Sequence, residues 1–272
     1  MASNNDNELH RARPSIAIKM IRHAESANNQ VYRDARFIYR GGSDDFHQAG
    51  WSAYIEQHRR ADPGLSDVGY LQAEKLADYI VPQFLLDETI HWPVHILVSP
   101  MRRTCETIRP TLKKFLSETN KNACHVTVQG FYFESEGCHT NLVPEEGMNP
   151  EEIQSVLYPN PHDGKPQIEF VGFPDLSRGW YVHGTTHETR EESEQRAAKF
   201  YLWLCEYLDH RLEQVDTTLH VDNNNHHHSR PKRHTQLLIG HGDFMSLVLK
   251  RIVAGFGHFI ENTGIPHRSA FV

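Results

Sequence analysis

Two arginines, two histidines and a glutamate stand just beyond the ends of four apolar runs in this chain. Arg22 and His23 follow residues 16–21, Arg103 follows residues 94–98, Glu134 follows residues 126–133, and His241 follows residues 236–239. Paired guanidiniums bind the non-bridging oxygens of a phosphoryl group through parallel hydrogen bonds and neutralise its charge. A histidine beside them can attack phosphorus as a nucleophile. A second histidine, if protonated, adds charge against the equatorial oxygens, and a carboxylic acid on the leaving-group side can protonate the departing alkoxide. Such chemistry depends on in-line positioning and electrostatic stabilisation. These side chains supply both without a metal.

The elements that must position them follow from the apolar pattern. Ile16, Ala17, Ile18, Met20 and Ile21 read as a strand buried on both faces, the pattern of a parallel sheet. Residues 94–98, 126–133 and 236–239 read as three more strands, and a helical stretch follows the first two blocks and the last. Ser66 is a suitable N-cap for a helix carrying Val68, Leu71, Leu76 and Ile80, with Pro82 expected to kink or stop it. A helix runs from the Arg103 region to about residue 117, and a short one covers residues 150–157. Thr189 and Glu192 have capping-box spacing before a helix with Ala197, Tyr201, Leu204 and Leu208 on one face. Residues 244–253 form the last helix, and residues 263–272 are expected to add an edge strand. Strand–helix alternation of this kind predicts an α/β fold, a three-layer α/β/α sandwich around a mostly parallel sheet. Right-handed crossovers bring the strand tips to one edge, where ligands bind in open α/β sheets.

At 272 residues the chain suits one domain over residues 15–272, preceded by a polar tail at 1–14. Long connections at about 31–62 and 139–186 read as lids. The arginines of the first, Arg33, Arg36, Arg40, Arg59 and Arg60, read for the most part as solvated surface. A net charge of -7 speaks against nucleic acid and anionic membranes as partners. No run reaches the about 18 apolar residues of a membrane span. The N-terminal stretch lacks the apolar core of a secretory signal, so the cytoplasm is the expected compartment. Cys105, Cys124, Cys138 and Cys205 form no C-x-x-C pair and read as reduced thiols. His226–His228 lie in a polar loop at about 218–234; adjacent histidines rarely chelate one ion, and the run reads as flexible loop.

The segment Arg22-His23-Ala24-Glu25-Ser26-Ala27-Asn28-Asn29 resembles the R-H-G-x-S-x-x-N signature of the histidine phosphatase superfamily, the phosphoglycerate mutase-like proteins. The resemblance continues through Leu65-Ser66, Gly69 and Gln72-Ala73, then Ser99-Pro100, Arg103 and Thr107, and then Gly240-His241-Gly242. It follows the family's order over most of residues 15–265. It implies that His23 is the nucleophile, that a phosphohistidine forms, and that no cofactor or metal takes part. It also implies that Arg22, Arg103 and His241 complete a phosphate pocket, with Asn29 as a further contact. Arg103, four residues after Ser99, holds the family's arginine position, and Arg102 does not. Glu134 fits the proton donor because it directly follows the third strand, with Glu136 as the competing candidate. Ala24 stands where the signature has glycine, which restricts the backbone beside the nucleophile.

Mutases of the family carry an arginine, a histidine and a tyrosine directly after the acid. Here Glu134 is followed by Ser135-Glu136-Gly137, and an acidic residue there would repel a carboxylate substrate. The expectation is therefore a phosphomonoester hydrolase acting on a small phosphorylated metabolite or phosphoprotein. A mutase, or a non-catalytic phosphate- or partner-binding protein, is the alternative. The two lids are expected to set specificity.

Overall fold

The structure is a computed structural model. It describes residues 16–42, 46–119, 124–159, 168–182, 186–219 and 234–263, with side chains to 212 and 254 in the last two stretches. In chain order the elements begin with β1 (Ile16–Arg22), α1 (Ala27–Ile38), α2 (Gln48–His58), α3 (Asp67–Leu86), β2 (Val94–Val98) and α4 (Arg102–Glu118). They continue with β3 (Cys124–Gln129), β4 (His139–Thr140), β5 (Val143–Pro144), α5 (Pro150–Leu157) and β6 (Ile168–Val171). The last three are α6 (Arg190–Leu219), β7 (His234–Gly240) and α7 (Gly242–Thr263).

Five strands pair in the order β1-β7-β2-β3-β6, and every pairing is parallel. Alternate side chains of a strand face opposite ways, and the two cores follow that period. Ile96, Val98, Leu237 and Ile239 join a core with Phe84 of α3, Ile108, Leu112 and Phe115 of α4, and Ile153 of α5. Leu97 and Leu238 point the other way, into Ala197, Phe200 and Leu204 of α6 and Phe244 and Val248 of α7. This is the expected three-layer α/β/α sandwich. Among the described residues no helix is long and apolar enough to cross a membrane.

Caps behave as their sequences require. Ser66 Oγ accepts the Gly69 N–H at 3.1 Å, and Thr189 Oγ1 accepts the Glu192 N–H at 3.2 Å. Asn149 and Glu152 close a further capping box on α5.

Several expectations change. β1 is an edge strand rather than a strand buried on both faces, and Ile18 is 41% exposed. Its apolar run matches a central strand, but only β7 pairs with it among the described residues. Pro82 neither stops α3 nor ends it, since the helix runs to Leu86. The third strand ends at Gln129, not at residue 133, because the chain turns there, with the Tyr132 N–H on the Gln129 carbonyl at 3.0 Å. Within 139–186 lies a sheet strand, β6, too short at four residues to show a period on its own. Trp180 and Tyr181 of the same segment are buried in the core. α7 extends to Thr263. The N-terminal tail, the His226–His228 run and residues 264–272 lie outside the described residues.

Histidines collect at the sheet edge where strands begin. The His91 and His234 rings stack at 4.2 Å, and the His95 and His125 rings meet at 5.5 Å. His95 Nδ1 and His234 Nε2 are buried without a hydrogen bond among the described residues. Burial, then Arg211 and the neighbouring histidines, lower His95 to about 3. Burial, then His91, lowers His234 to about 4. The folded state therefore holds these rings neutral, while the unfolded chain takes up protons near pH 6.5. Their contribution to stability is complete above about pH 6.5 and falls as pH drops toward 4. Urea unfolding at pH 7.5 and pH 5 should show the lower midpoint at pH 5, and His95→Gln should shrink the difference.

Candidate active site

The parallel register makes the strand ends meet. Arg22 of β1 is the partner of Gly240 of β7, and His23 donates its backbone N–H to the Gly240 carbonyl at 3.0 Å. Ser99, just past β2, donates its N–H to the Ile239 carbonyl at 3.0 Å. The His23 and His241 rings consequently lie 5.2 Å apart. Arg103, in the first turn of α4, donates Nε–H to His23 Nε2 at 3.3 Å. Arg102, one residue earlier, gives its N–H to Asp62 instead. A cleft of about 160 Å³ is lined by Arg22, His23, Asn29, Arg103 and Glu134. His241 is fully buried beside it. The structure thus brings together all six residues singled out in the sequence.

Glu134 arrives by a longer route than expected. It lies five residues beyond β3, after a turn, rather than directly behind the strand. Its Oε1 accepts the Ser135 and Phe244 N–H groups, both at 3.0 Å. Glu136 takes a left-handed backbone, φ 71°, and its side chain is 59% exposed and directed to His139 at 3.8 Å. It does not line the cleft.

Hydrogen bonds assign the histidine nitrogens. His23 Nδ1 lies 2.7 Å from the Ala24 carbonyl, which can only accept, so the proton sits on Nδ1 and the lone pair on Nε2. Burial, followed by the Arg103 charge, holds His23 down to about 3. The ring is therefore unprotonated at neutral pH. His241 Nε2 is 2.7 Å from Ser99 Oγ, and its Nδ1 is buried with no partner among the described residues. Burial, then Arg103 and His23, push His241 well below its ordinary value. The second histidine is thus a neutral hydrogen-bonding group here, and the arginines carry the positive charge.

The signature residues have structural reasons. Ser26 caps α1 reciprocally with Asn29, and both line the cleft. Ser66 Oγ donates to Glu25 Oε1 at 2.6 Å, and Gln72 Oε1 accepts the Glu25 N–H at 2.8 Å. A Cβ on Gly69 would stand 2.0 Å from the Glu25 carbonyl oxygen, so only glycine lets α3 approach this closely. Thr107 Oγ1 accepts the Ala24 N–H at 3.0 Å. Ala24 has no left-handed backbone, so this position does not require glycine's freedom. The N-termini of α1 and α4 open onto the cleft through Ser26 and Met101 and add positive partial charge for an anion.

His23, Glu134 and His241 each bring a donor atom within 4.8 Å of the others, a set that could in principle ligate a transition metal. The charges oppose it. Arg103 occupies the nucleophilic nitrogen of His23, and Arg22 lines the same cleft. An anion suits these surroundings better than a divalent cation.

Sequence reasoning missed two residues. Arg59, one of five arginines in a polar insertion, reaches the cleft, and nothing in its spacing distinguishes it from the others. Arg196, on α6, holds the Glu134 segment. Its guanidinium pairs with Glu188 through two bonds of 2.6 Å and donates to the Phe131, Phe133 and Glu134 carbonyls at 3.1, 2.9 and 3.1 Å. The Phe133 and Phe244 rings lie 3.6 and 4.1 Å from it. Arg196→Met removes one partner of a buried pair and strands the Glu188 charge. Equilibrium unfolding should show a loss of about 3–5 kcal/mol.

Neither a family model nor a curated protein matches the chain. Among solved structures it is similar to one titled "Mycobacterial hydrolase 1", at 14% identity and a TM-score of 0.38, over 86% of this chain and 79% of that one. A likeness at that level carries no argument about fold or function, and both rest on the geometry of this chain.

Proposed function

We propose that this protein is a phosphomonoester hydrolase of the histidine phosphatase type, working through a phosphohistidine and without a metal. The observation that carries the reading is His23 Nε2. Its lone pair is presented by the Nδ1–H bond to Ala24, against Arg103 and in a cleft with Arg22 and Glu134. When a phosphomonoester enters, Arg22 and Arg103 turn their guanidinium donors to its non-bridging oxygens. Nε2 attacks phosphorus in line, the N–P bond forms, and the ester P–O bond breaks. Glu134, as the acid of this step, gives a proton to the departing alkoxide. Its Oε1 is held by two backbone N–H groups, and Oε2 has no hydrogen bond among the described residues. In the second half, Glu134 takes a proton from water, the water oxygen attacks phosphorus, and the N–P electrons return to Nε2. Inorganic phosphate leaves, and the starting state is restored.

Hydrolysis of p-nitrophenyl phosphate should survive a chelator. His23→Ala should lower it by about three orders of magnitude or more, and intact-protein mass spectrometry of alkali-quenched enzyme, in which the acid-labile N–P bond survives, should lose the added phosphate. Full activity in that variant would remove the mechanism. Glu134→Gln should slow alkyl phosphate hydrolysis by about a hundredfold or more while affecting the nitrophenyl ester far less, because nitrophenolate leaves without a proton. The same pattern in Glu136→Gln would move the proton donor two residues along.

A further inference from the structure

Arg59 is a cation with more donors than its surroundings use. It caps α2, with its N–H on the Ile55 carbonyl at 2.9 Å. The following residue is clamped to α1. Asn28 Nδ2 donates to the Arg60 carbonyl at 2.8 Å, and the Arg60 N–H returns to Asn28 Oδ1 at 3.0 Å. Among the described residues the Arg59 side chain donates one bond, from Nη2 to His139 Nε2 at 3.2 Å. His139 is 2% exposed, and burial followed by the Arg59 charge keeps it neutral. Backbone, clamp and imidazole together hold Arg59 at the cleft, which it lines with Asn28 and Tyr32 and where its charge is felt by Arg103.

What Arg59 lacks is a bonded carboxylate. Among the described residues no carboxylate lies within ion-pair distance of Arg59. Glu136 approaches His139 but stays outside the cleft. Elsewhere on the molecule lid arginines have such partners: Arg33 pairs with Glu25, and Arg178 pairs with Glu146. A phosphomonoester takes up the donors of Arg22 and Arg103, and no carboxylate among the described residues bonds the Arg59 guanidinium. A guanidinium binds a carboxylate or phosphoryl group through paired, charge-assisted hydrogen bonds, and that is the missing group.

Building on the phosphatase reading, we propose that Arg59 forms a second anion subsite, so that the substrate is a small phosphomonoester carrying a further carboxylate or phosphoryl group. The sequence argument expected Glu136 to repel a carboxylate substrate; Arg59 lines the cleft, whereas Glu136 does not.

Binding of phosphonates, which cannot be hydrolysed, tests this without relying on turnover. Isothermal titration would compare ethylphosphonate with phosphonoacetate, phosphonopropionate and methylenediphosphonate, and with inorganic phosphate. At least one acid-tailed ligand should bind about tenfold or more tightly than ethylphosphonate, as expected of a charge-assisted pair in a partly buried site. The carboxylate and diphosphonate arms show which second group is preferred. Arg59→Gln should abolish the preference, and Arg59→Lys should restore part of it. The ratio of affinities within one variant does not depend on how much of the sample is folded. No preference in the unaltered protein, or a preference that survives in Arg59→Gln, overturns the proposal. An equal loss for every ligand, phosphate included, would place Arg59 in the phosphate pocket and also overturn it. Phosphate binding without a tail preference removes this inference alone, whereas failure of phosphate itself to bind removes the phosphatase reading with it.

Discussion

The parallel pairing of β1 on β7 is the contact on which the site depends. With Arg22 opposite Gly240 and the His23 N–H on the Gly240 carbonyl, the backbones at His23 and His241 are held side by side. β2 lies on the other side of β7 and places Ser99 within reach of His241 and α4 within reach of His23. Because every strand of this sheet runs the same way, all their carboxyl ends share one edge. A one-residue slip between β1 and β7 would move His23 away from His241 and turn Met20 and Ile21 to the wrong cores.

The pocket beyond the strands is built from loops, and loops need partners for their polar backbone. Here buried charged and polar side chains provide them. Arg196 collects three carbonyls on either side of the Glu134 approach while Glu188 balances its charge. Asp62 takes the first N–H of α4 at 2.9 Å and sits close enough to favour the Arg103 charge. Burial raises the Asp62 carboxyl to about 6 even against that attraction. Glu106 Oε2 holds the Leu65 N–H at 2.7 Å, behind the Ser26–Leu65 bridge. The result is a positively charged cleft whose donors are held before any ligand arrives, the arrangement that electrostatic catalysis of phosphoryl transfer asks of a protein.

Much of this was legible from local pattern. Apolar runs marked four of the five sheet strands, Ser66 and the Thr189–Glu192 pair marked helix starts, and the residues at strand ends marked the groups that gather at the cleft. Misreadings came where tertiary context overrides local preference. β1 carries the apolar run of a central strand but lies at an edge, Pro82 is accommodated inside α3, and β6 exists only because β3 offers it a backbone to pair with.

Residue types and their order along the chain determined which groups could do chemistry: Arg22, His23, Arg103, Glu134 and His241 are chemically suited to an anion whatever the fold. The tertiary structure alone decided how those groups are used. Whether His23 offers Nε2 or Nδ1 depends on one bond to the Ala24 carbonyl, and whether His241 is charged depends on its burial beside Arg103. Which carboxylate faces the cleft depends on a backbone turn that sends Glu134 in and Glu136 out. Which of the five arginines between residues 31 and 62 lines the cleft goes with a clamp between Asn28 and Arg60. Each is a matter of desolvation and hydrogen-bond geometry between residues far apart in sequence, and neither quantity exists until the chain has folded.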